Sequence, residues 1–246
     1  MNKPKLIFKY RSLENSLSLD RFFDIIENNR VFFANPTRLN DPFEARLPQI
    51  SMGIAGCSYY TARDQLHPYI IDRINRTRVL ALSESCFLPN MWAYYASEYK
   101  GVCLCFKTSN SFSNIQKVQY TDKKNNETIF SPTPEQIDSI LDTALLKKGT
   151  DWAKEREWRM VEHCSNRDYV NFEPSELATI ILGHNLREDL QALIVSRLPG
   201  DLSAFVTYPG TVTGKLRLLE YGTEFSPHWI SPDFIDTVDE LLKRIG

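Results

Sequence analysis

The chain has 246 residues, 42% of them hydrophobic and 24% charged, with a formal net charge of −2. Charge this balanced excludes a disordered polyelectrolyte and an overall basic field, so nucleic-acid binding would need a local patch. At roughly 150 residues per domain the length allows between one and two domains. Ten glycines stand against 14 Phe, 11 Tyr and 4 Trp. A nucleotide would then be held by Arg forks, helix caps and aromatic faces rather than by a glycine loop.

The N-terminal residues, with Lys3, Lys5 and Lys9, contain no apolar run of signal-peptide length. No stretch approaches the roughly 18 apolar residues of a membrane span. The five cysteines are odd in number and include no CxxC pair, which speaks against a disulfide framework or a zinc ribbon. A reduced, cytoplasmic protein with no membrane association and no metal site is expected.

In chain order, Leu6 to Tyr10 predicts a short strand. Ser16 or Ser18 then caps a helix carrying Leu19, Phe22, Phe23 and Ile26, which Asn28-Asn29 ends. Val31 to Ala34 is a second apolar run. Asn35-Pro36 and Asn40-Asp41-Pro42 are turns, because both asparagines bond their own backbone and each Pro pushes its predecessor out of the α region. Residues 48 to 76 are poorly patterned and predict a helical insertion. Val79 to Ser83 is a buried strand. Pro89 to Tyr99 predicts a helix with Trp92, Tyr95, Ala96 and Tyr99 on one face, stopped by Gly101 at C′. Val102 to Phe106 is a buried strand, with Cys103 and Cys105 on one face as small core residues. Ile115 to Tyr120 alternates as a half-buried strand.

Thr133-Pro134 opens a helix with Ile137, Ile140, Leu141, Ala144 and Leu145 in one stripe, closed by Gly149. Glu157 to Val161 and Thr179 to Leu182 are strands, and Asn185 caps a helix after the second. Ala204 to Tyr208 and Lys215 to Tyr221 form a hairpin. Its turn, Gly210 to Lys215, is one residue too short for a phosphate loop, and Leu216 stands where Ser or Thr would hold magnesium. Ser231-Pro232 opens a last helix. Short strands mixed with helices, without a βαβ rhythm, predict a single α+β domain over 1–246. Its centre would be a mixed or antiparallel sheet flanked by helices.

Three clusters could carry chemistry. Lys9-Tyr10-Arg11-Ser12 ends the first strand just before a helix, where Arg11 can fork onto a pyrophosphate or carboxylate. Asn40-Asp41-Pro42-Phe43-Glu44 is a turn with an anchoring Phe. In Glu155-Arg156-Glu157-Trp158-Arg159 an extended backbone puts Glu155, Glu157 and Arg159 on one face and Trp158 and Met160 on the other. That face could bind hydroxyls and steady a cationic centre, or be a solvated charge ladder. No spacing supports a metal nuclease built on Asp41, Glu44 and Glu157.

In order, "KYRS" at Lys9 to Ser12, "NDPFE" at Asn40 to Glu44, the strand ending Ser83 to Ser85, "MWxxYAxxxxG" at Met91 to Gly101, "ExEWR" at Glu155 to Arg159 and "IILG" at Ile180 to Gly183 resemble the bacterial domain-of-unknown-function family 2971. That family name implies no activity. The layout is also similar to ADP-ribosyltransferase-like proteins, including nucleic-acid-modifying toxins. This second resemblance implies an ADP-ribosyltransferase-like sheet and NAD as substrate. It implies a nucleic-acid or protein acceptor and a role in toxicity or phage defence. It places Tyr10, Arg11, Ser83, Ser85, Trp92 and Tyr95 at the nucleotide and makes Glu155-x-Glu157 the catalytic pair, with Glu157 the second Glu. A non-catalytic nucleotide- or nucleic-acid-binding module is the alternative. For either, Arg11, Ser83 to Ser85 and Glu157 should line one cleft.

Overall fold

Strand β1 (Leu6–Arg11) sets the layering, because its alternate residues enter two different cores. Leu6, Phe8 and Tyr10 pack into one, and Ile7 into the other. Such alternation is what period-two geometry imposes on a strand covered on both faces. The computed structural model describes residues 3–39, 49–51, 68–123, 128–130, 133–163, 165–210, 214–223 and 233–245.

After β1 come α1 (Ser16–Asn28), β2 (Arg30–Phe32), a 3-10 turn at Pro36–Arg38, β3 (Gln49–Ser51), α2 (Pro68–Arg76) and β4 (Arg78–Ser83). Next are α3 (Pro89–Tyr95), β5 (Val102–Lys107), β6 (Gln116–Lys117), β7 (Gln119–Tyr120), β8 (Thr128–Phe130), α4 (Pro134–Leu145) and β9 (Lys147–Lys148). A 3-10 segment, Thr150–Glu155, leads into β10 (Glu157–Glu162). Then follow β11 (Tyr169–Asn171), β12 (Leu177–Leu182), α5 (Glu188–Ser196), β13 (Ala204–Gly210), β14 (Lys215–Glu220) and α6 (Val238–Ile245).

The main sheet has eight strands in the order β14-β13-β12-β5-β1-β4-β10-β6. Its neighbours are antiparallel except β12 and β13. This is the expected α+β architecture with a mixed central sheet. Phe22, Phe23, Ile25 and Ile26 of α1 cover one face together with Leu80, Leu82, Trp158 and Met160. Met91 and Trp92 of α3 and Leu241 of α6 cover the other with Cys103, Cys105 and Phe205.

Several predicted boundaries move, each for a local reason. Asn15, rather than Ser16 or Ser18, caps α1: its side chain accepts from Ser18 N–H, and Ser18 Oγ accepts from Asn15 N–H. This reciprocal pair satisfies two orphan donors. Ile115 to Tyr120 is split into β6 and β7 by buried Val118, whose N–H donates to the Glu157 carbonyl at 3.0 Å. Helix α4 ends at Leu145, and Gly149 instead precedes the 3-10 segment. Arg187, not Asn185, stands at the N-cap of α5, and the Asn185 amide donates to the Glu98 carbonyl. The last helix begins at Val238 because Ile235 is engaged in a bridge with Leu218. Of 48–76, β3 and α2 are described, and residues 48 and 52–67 lie outside the described residues.

Helix α3 also stops early, at Tyr95. Ser97, Glu98 and Tyr99 turn left-handed, with φ of 50°, 55° and 67°, a conformation costing roughly 1–2 kcal/mol per non-glycine residue. The turn stacks Tyr99 on Trp92 with ring centroids 5.7 Å apart. It also presses Gly101 onto the end of β1, where a Cβ would lie 2.1 Å from the Arg11 carbonyl oxygen. Gly101 is thus required by close approach rather than as a helix stop. We predict that Gly101→Ala destabilises the fold by about 3 kcal/mol, the upper end for overpacking. Gly200→Ala, where a Cβ meets nothing within 4 Å, should be close to neutral. Urea-denaturation midpoints of the two variants check this, and equal midpoints would contradict it.

Candidate functional site: a cleft beside the split between β1 and β4

Strands β1 and β4 are registered at one position, Phe8 opposite Ser83. The flanking pairs are different: β1 and β5 match over Leu6 to Arg11, and β10 and β4 over Glu157 to Glu162. Where β1 and β4 part, a cleft of about 350 Å³ opens, within the range of small-ligand sites. Arg11, Ser83, Tyr95, Glu155 and Glu157 all line it, together with Tyr10 and Arg159. Of the expected set Arg11, Ser83 to Ser85 and Glu157, the cleft brings together Arg11, Ser83 and Glu157, while Glu84 and Ser85 do not line it.

The floor is built from β10 upward. Glu157 and Arg159 point to one face of the strand, while Trp158 and Met160 enter the opposite core. Glu155 reaches the same place by another route. It ends the 3-10 segment, and Arg156 takes a left-handed φ of 49° before the strand starts. Arg159 Nε donates to Glu157 Oε1 at 2.6 Å, and a second guanidinium nitrogen donates to Oε2 at 2.9 Å. Lys148 Nζ donates to Glu155 Oε2 at 2.6 Å and to Glu157 Oε2 at 3.1 Å. Tyr95 Oη donates to Glu155 Oε1 at 2.8 Å, and Ser83 Oγ to the Glu155 carbonyl at 2.7 Å. Glu155, Glu157, Lys148 and Arg159 are all buried.

Environment separates the two carboxyls. Burial alone would raise Glu157, but Arg159 and Lys148 outweigh it and hold the group below its ordinary 4.5. For Glu155 burial wins over Lys148 and Tyr95, and the carboxyl sits above its ordinary value. Glu157 is thus the reliably ionised member of the pair.

Across the split, the Nε of Arg11 is buried and has no hydrogen-bond partner among the described residues. Burial, and then Arg21, pull this guanidinium below its ordinary value, yet an arginine keeps its charge in such surroundings. A buried donor left unpaired costs free energy, so this Nε–H favours an acceptor that the described residues do not supply. Arg38, exposed, lines the same cleft.

Other predicted residues lie elsewhere. Trp92 is fully buried in the core, donating to the Cys86 carbonyl at 2.7 Å and meeting Tyr10 edge-on at 5.2 Å. Tyr10 Oη donates to the Ser85 carbonyl at 2.9 Å, and Ser85 Oγ accepts from Phe87 N–H. Trp92 and Ser85 do not line the cleft. Asn40 and Asp41 fall outside the described residues. Sequence reasoning missed Lys148, because nothing local in Lys147-Lys148-Gly149 signals a buried ammonium. Among the described residues, no group of three or more His, Cys, Asp and Glu is placed to hold a metal ion. No described helix is long and apolar enough to cross a membrane.

Fold and site together define an α+β protein with a charged cleft in its main sheet. A family model described as "Protein of unknown function (DUF2971)" matches residues 91–160. That segment runs from α3 into β10 and includes Tyr95, Lys148, Glu155, Glu157 and Arg159. No curated protein and no solved structure matches the chain.

Removing Lys148 strips a cation from both carboxylates. Lys148→Met should lower stability at pH 7 by about 3–5 kcal/mol, the cost of breaking a buried ion cluster. The sign with pH follows from the shifts. Glu157, depressed, stabilises the fold above its ordinary 4.5, and that contribution is lost as pH falls through the depressed value. Glu155, raised, is a cost while ionised, relieved as pH falls. Without Lys148 both carboxyls bind protons more readily, so the variant's deficit should shrink between pH 7 and pH 5. Urea titrations at the two pH values test this; a constant deficit would contradict an electrostatic origin.

Proposed function

We propose that the cleft is the active site of an NAD-dependent ADP-ribosyltransferase acting on a nucleic-acid or protein acceptor. The observation that carries this reading is the buried Arg11 Nε, without a hydrogen-bond partner among the described residues, in the same cleft as the fixed Glu155–Glu157 pair. Arg11, with Arg38 nearby, suits a diphosphate. Tyr95, half-buried on the cleft wall, offers an aromatic surface beside the carboxylates. Glu157 Oε1 accepts one bond from Arg159 and retains a lone pair for a ribose hydroxyl.

The reaction is a substitution at the ribose carbon. The N-glycosidic bond breaks, its electron pair leaves with nicotinamide, and cationic character builds at C1′ and the ring oxygen, as in glycoside cleavage. An ionised Glu157 beside that centre stabilises it electrostatically. The acceptor then bonds to C1′ and releases its proton to solvent. The same geometry carries a second reading. Glu157 Oε2 already receives both Lys148 and Arg159, which favours a non-catalytic module that binds a nucleotide or nucleic acid in this cleft.

The purified protein, incubated with NAD and with RNA, DNA or protein acceptors, separates the two readings. A transferase releases nicotinamide and gains acceptor mass. Glu157→Gln should then lose about a hundredfold in rate, the scale of one electrostatic stabiliser, while still binding NAD. Arg11→Met should weaken NAD binding about ten- to a hundredfold, the worth of a charged hydrogen bond. Binding without nicotinamide release would select the binding module, and absence of any nucleotide binding would overturn both.

A further inference from the structure

Lys9 is absorbed by none of the roles above. It sits half-buried in β1 and lines the cleft, with Nζ donating to the Ala81 carbonyl at 2.7 Å across the split. It forms no ion pair with a described residue, because the carboxylates of the floor are engaged by Lys148 and Arg159. The charges acting on it are Arg11 on its own strand and Glu157 and Arg159 on β10. Glu155, Lys148 and Arg38 are the other charged lining residues among those described. An ammonium in such company is disfavoured and an amine is not. Burial, then Arg11, lowers its pKa to about 7, with Glu157 opposing and Arg159 adding to the fall. Lysines become nucleophiles in this way, by desolvation beside another cation.

We propose that Lys9 is a reactive amine that captures a phosphorylated aldehyde in this cleft as a Schiff base. The amine nitrogen bonds to the carbonyl carbon, and the carbon–oxygen bond then breaks. Both N–H protons leave with that oxygen as water, and a C=N bond remains. No oxidant or reductant is needed. The aldehyde's phosphate is recognised by Arg11, whose buried Nε lacks a partner among the described residues, and by exposed Arg38. The proposal needs the amine and the cleft's arginines but no cleavage of NAD, so it stands or falls separately from nicotinamide release.

The test uses pyridoxal 5′-phosphate as probe on the whole chain, followed by borohydride reduction and peptide mapping by mass spectrometry. Lys9 should be modified at least about tenfold faster than the exposed Lys3, Lys5 and Lys100, as expected of an amine that burial lowers to about 7 in a cationic cleft. The rate should rise between pH 6 and pH 8 and fall when inorganic phosphate is added. Pyridoxal, lacking the phosphate, should react more slowly at Lys9, and Arg11→Met should erase that difference. Lys9→Arg should lose this label while keeping the circular-dichroism spectrum of the wild type. Label spread over the exposed lysines with Lys9 unmodified would overturn the proposal. Equal rates with pyridoxal and its phosphate would overturn the substrate class.

Discussion

Neighbouring strands normally exchange hydrogen bonds along their length, because a buried N–H or C=O left alone costs free energy. Between β1 and β4 the register is confined to Phe8 opposite Ser83. Side chains take over part of what the missing ladder would do. Lys9 reaches across to the Ala81 carbonyl, and Ser83 Oγ turns to the Glu155 carbonyl. The cleft exists because the sheet is open here while β1–β5 and β4–β10 stay fully registered on either side. A rigid sheet on both flanks is also what keeps such a site in one shape.

The charge balance within the cleft follows from the same opening. Lys148 and Arg159 are matched against Glu155 and Glu157. Buried pairs of this kind add little net stability against a hydrophobic replacement, but losing one partner is costly. What they do is hold two carboxylates in fixed places at different proton affinities. Among the described lining residues Arg11 and Arg38 are left in excess, so a chain with an overall charge of −2 has a locally positive lining here. Trp152 adds a ring face with its centroid 4.8 Å from Lys148 Nζ, a cation–π contact within the buried cluster.

Much of this was legible in the sequence wherever a period was strong and its cap local. The strands at Leu6, Val79, Val102, Glu157 and Thr179 announce themselves as apolar or alternating runs. Their mixture with helices is enough for the α+β class. Period two also separated Glu157 and Arg159 from Trp158 and Met160. Where contacts distant in sequence decide, local patterns fail. The stripe Trp92, Tyr95, Ala96, Tyr99 continues a helix on paper, yet stacking of Tyr99 on Trp92 and contact of Gly101 with β1 break it after Tyr95. The transferase resemblance places Trp92 at the nucleotide, whereas its helical stripe fits a core residue, which it is in space. Lys148 is invisible because its partners are buried by tertiary packing and not by any motif. The single ladder position that opens the cleft leaves no trace in composition or periodicity.

The match over residues 91–160 encloses the floor of the cleft, whereas Lys9 and Arg11 come from the first strand. The two halves meet in the function we propose, in which Arg11 binds an anionic nucleotide opposite the Glu155–Glu157 floor. Side-chain Nε–Hε NMR tests that most directly, with the Arg11 resonance assigned by Arg11→Lys. On titration with ADP-ribose, the account predicts a saturable shift of the Arg11 resonance, larger than that of exposed Arg167 or Arg187. An Arg11 resonance that stays in place while ADP-ribose binds, or no response at all to saturating ADP-ribose, would contradict it.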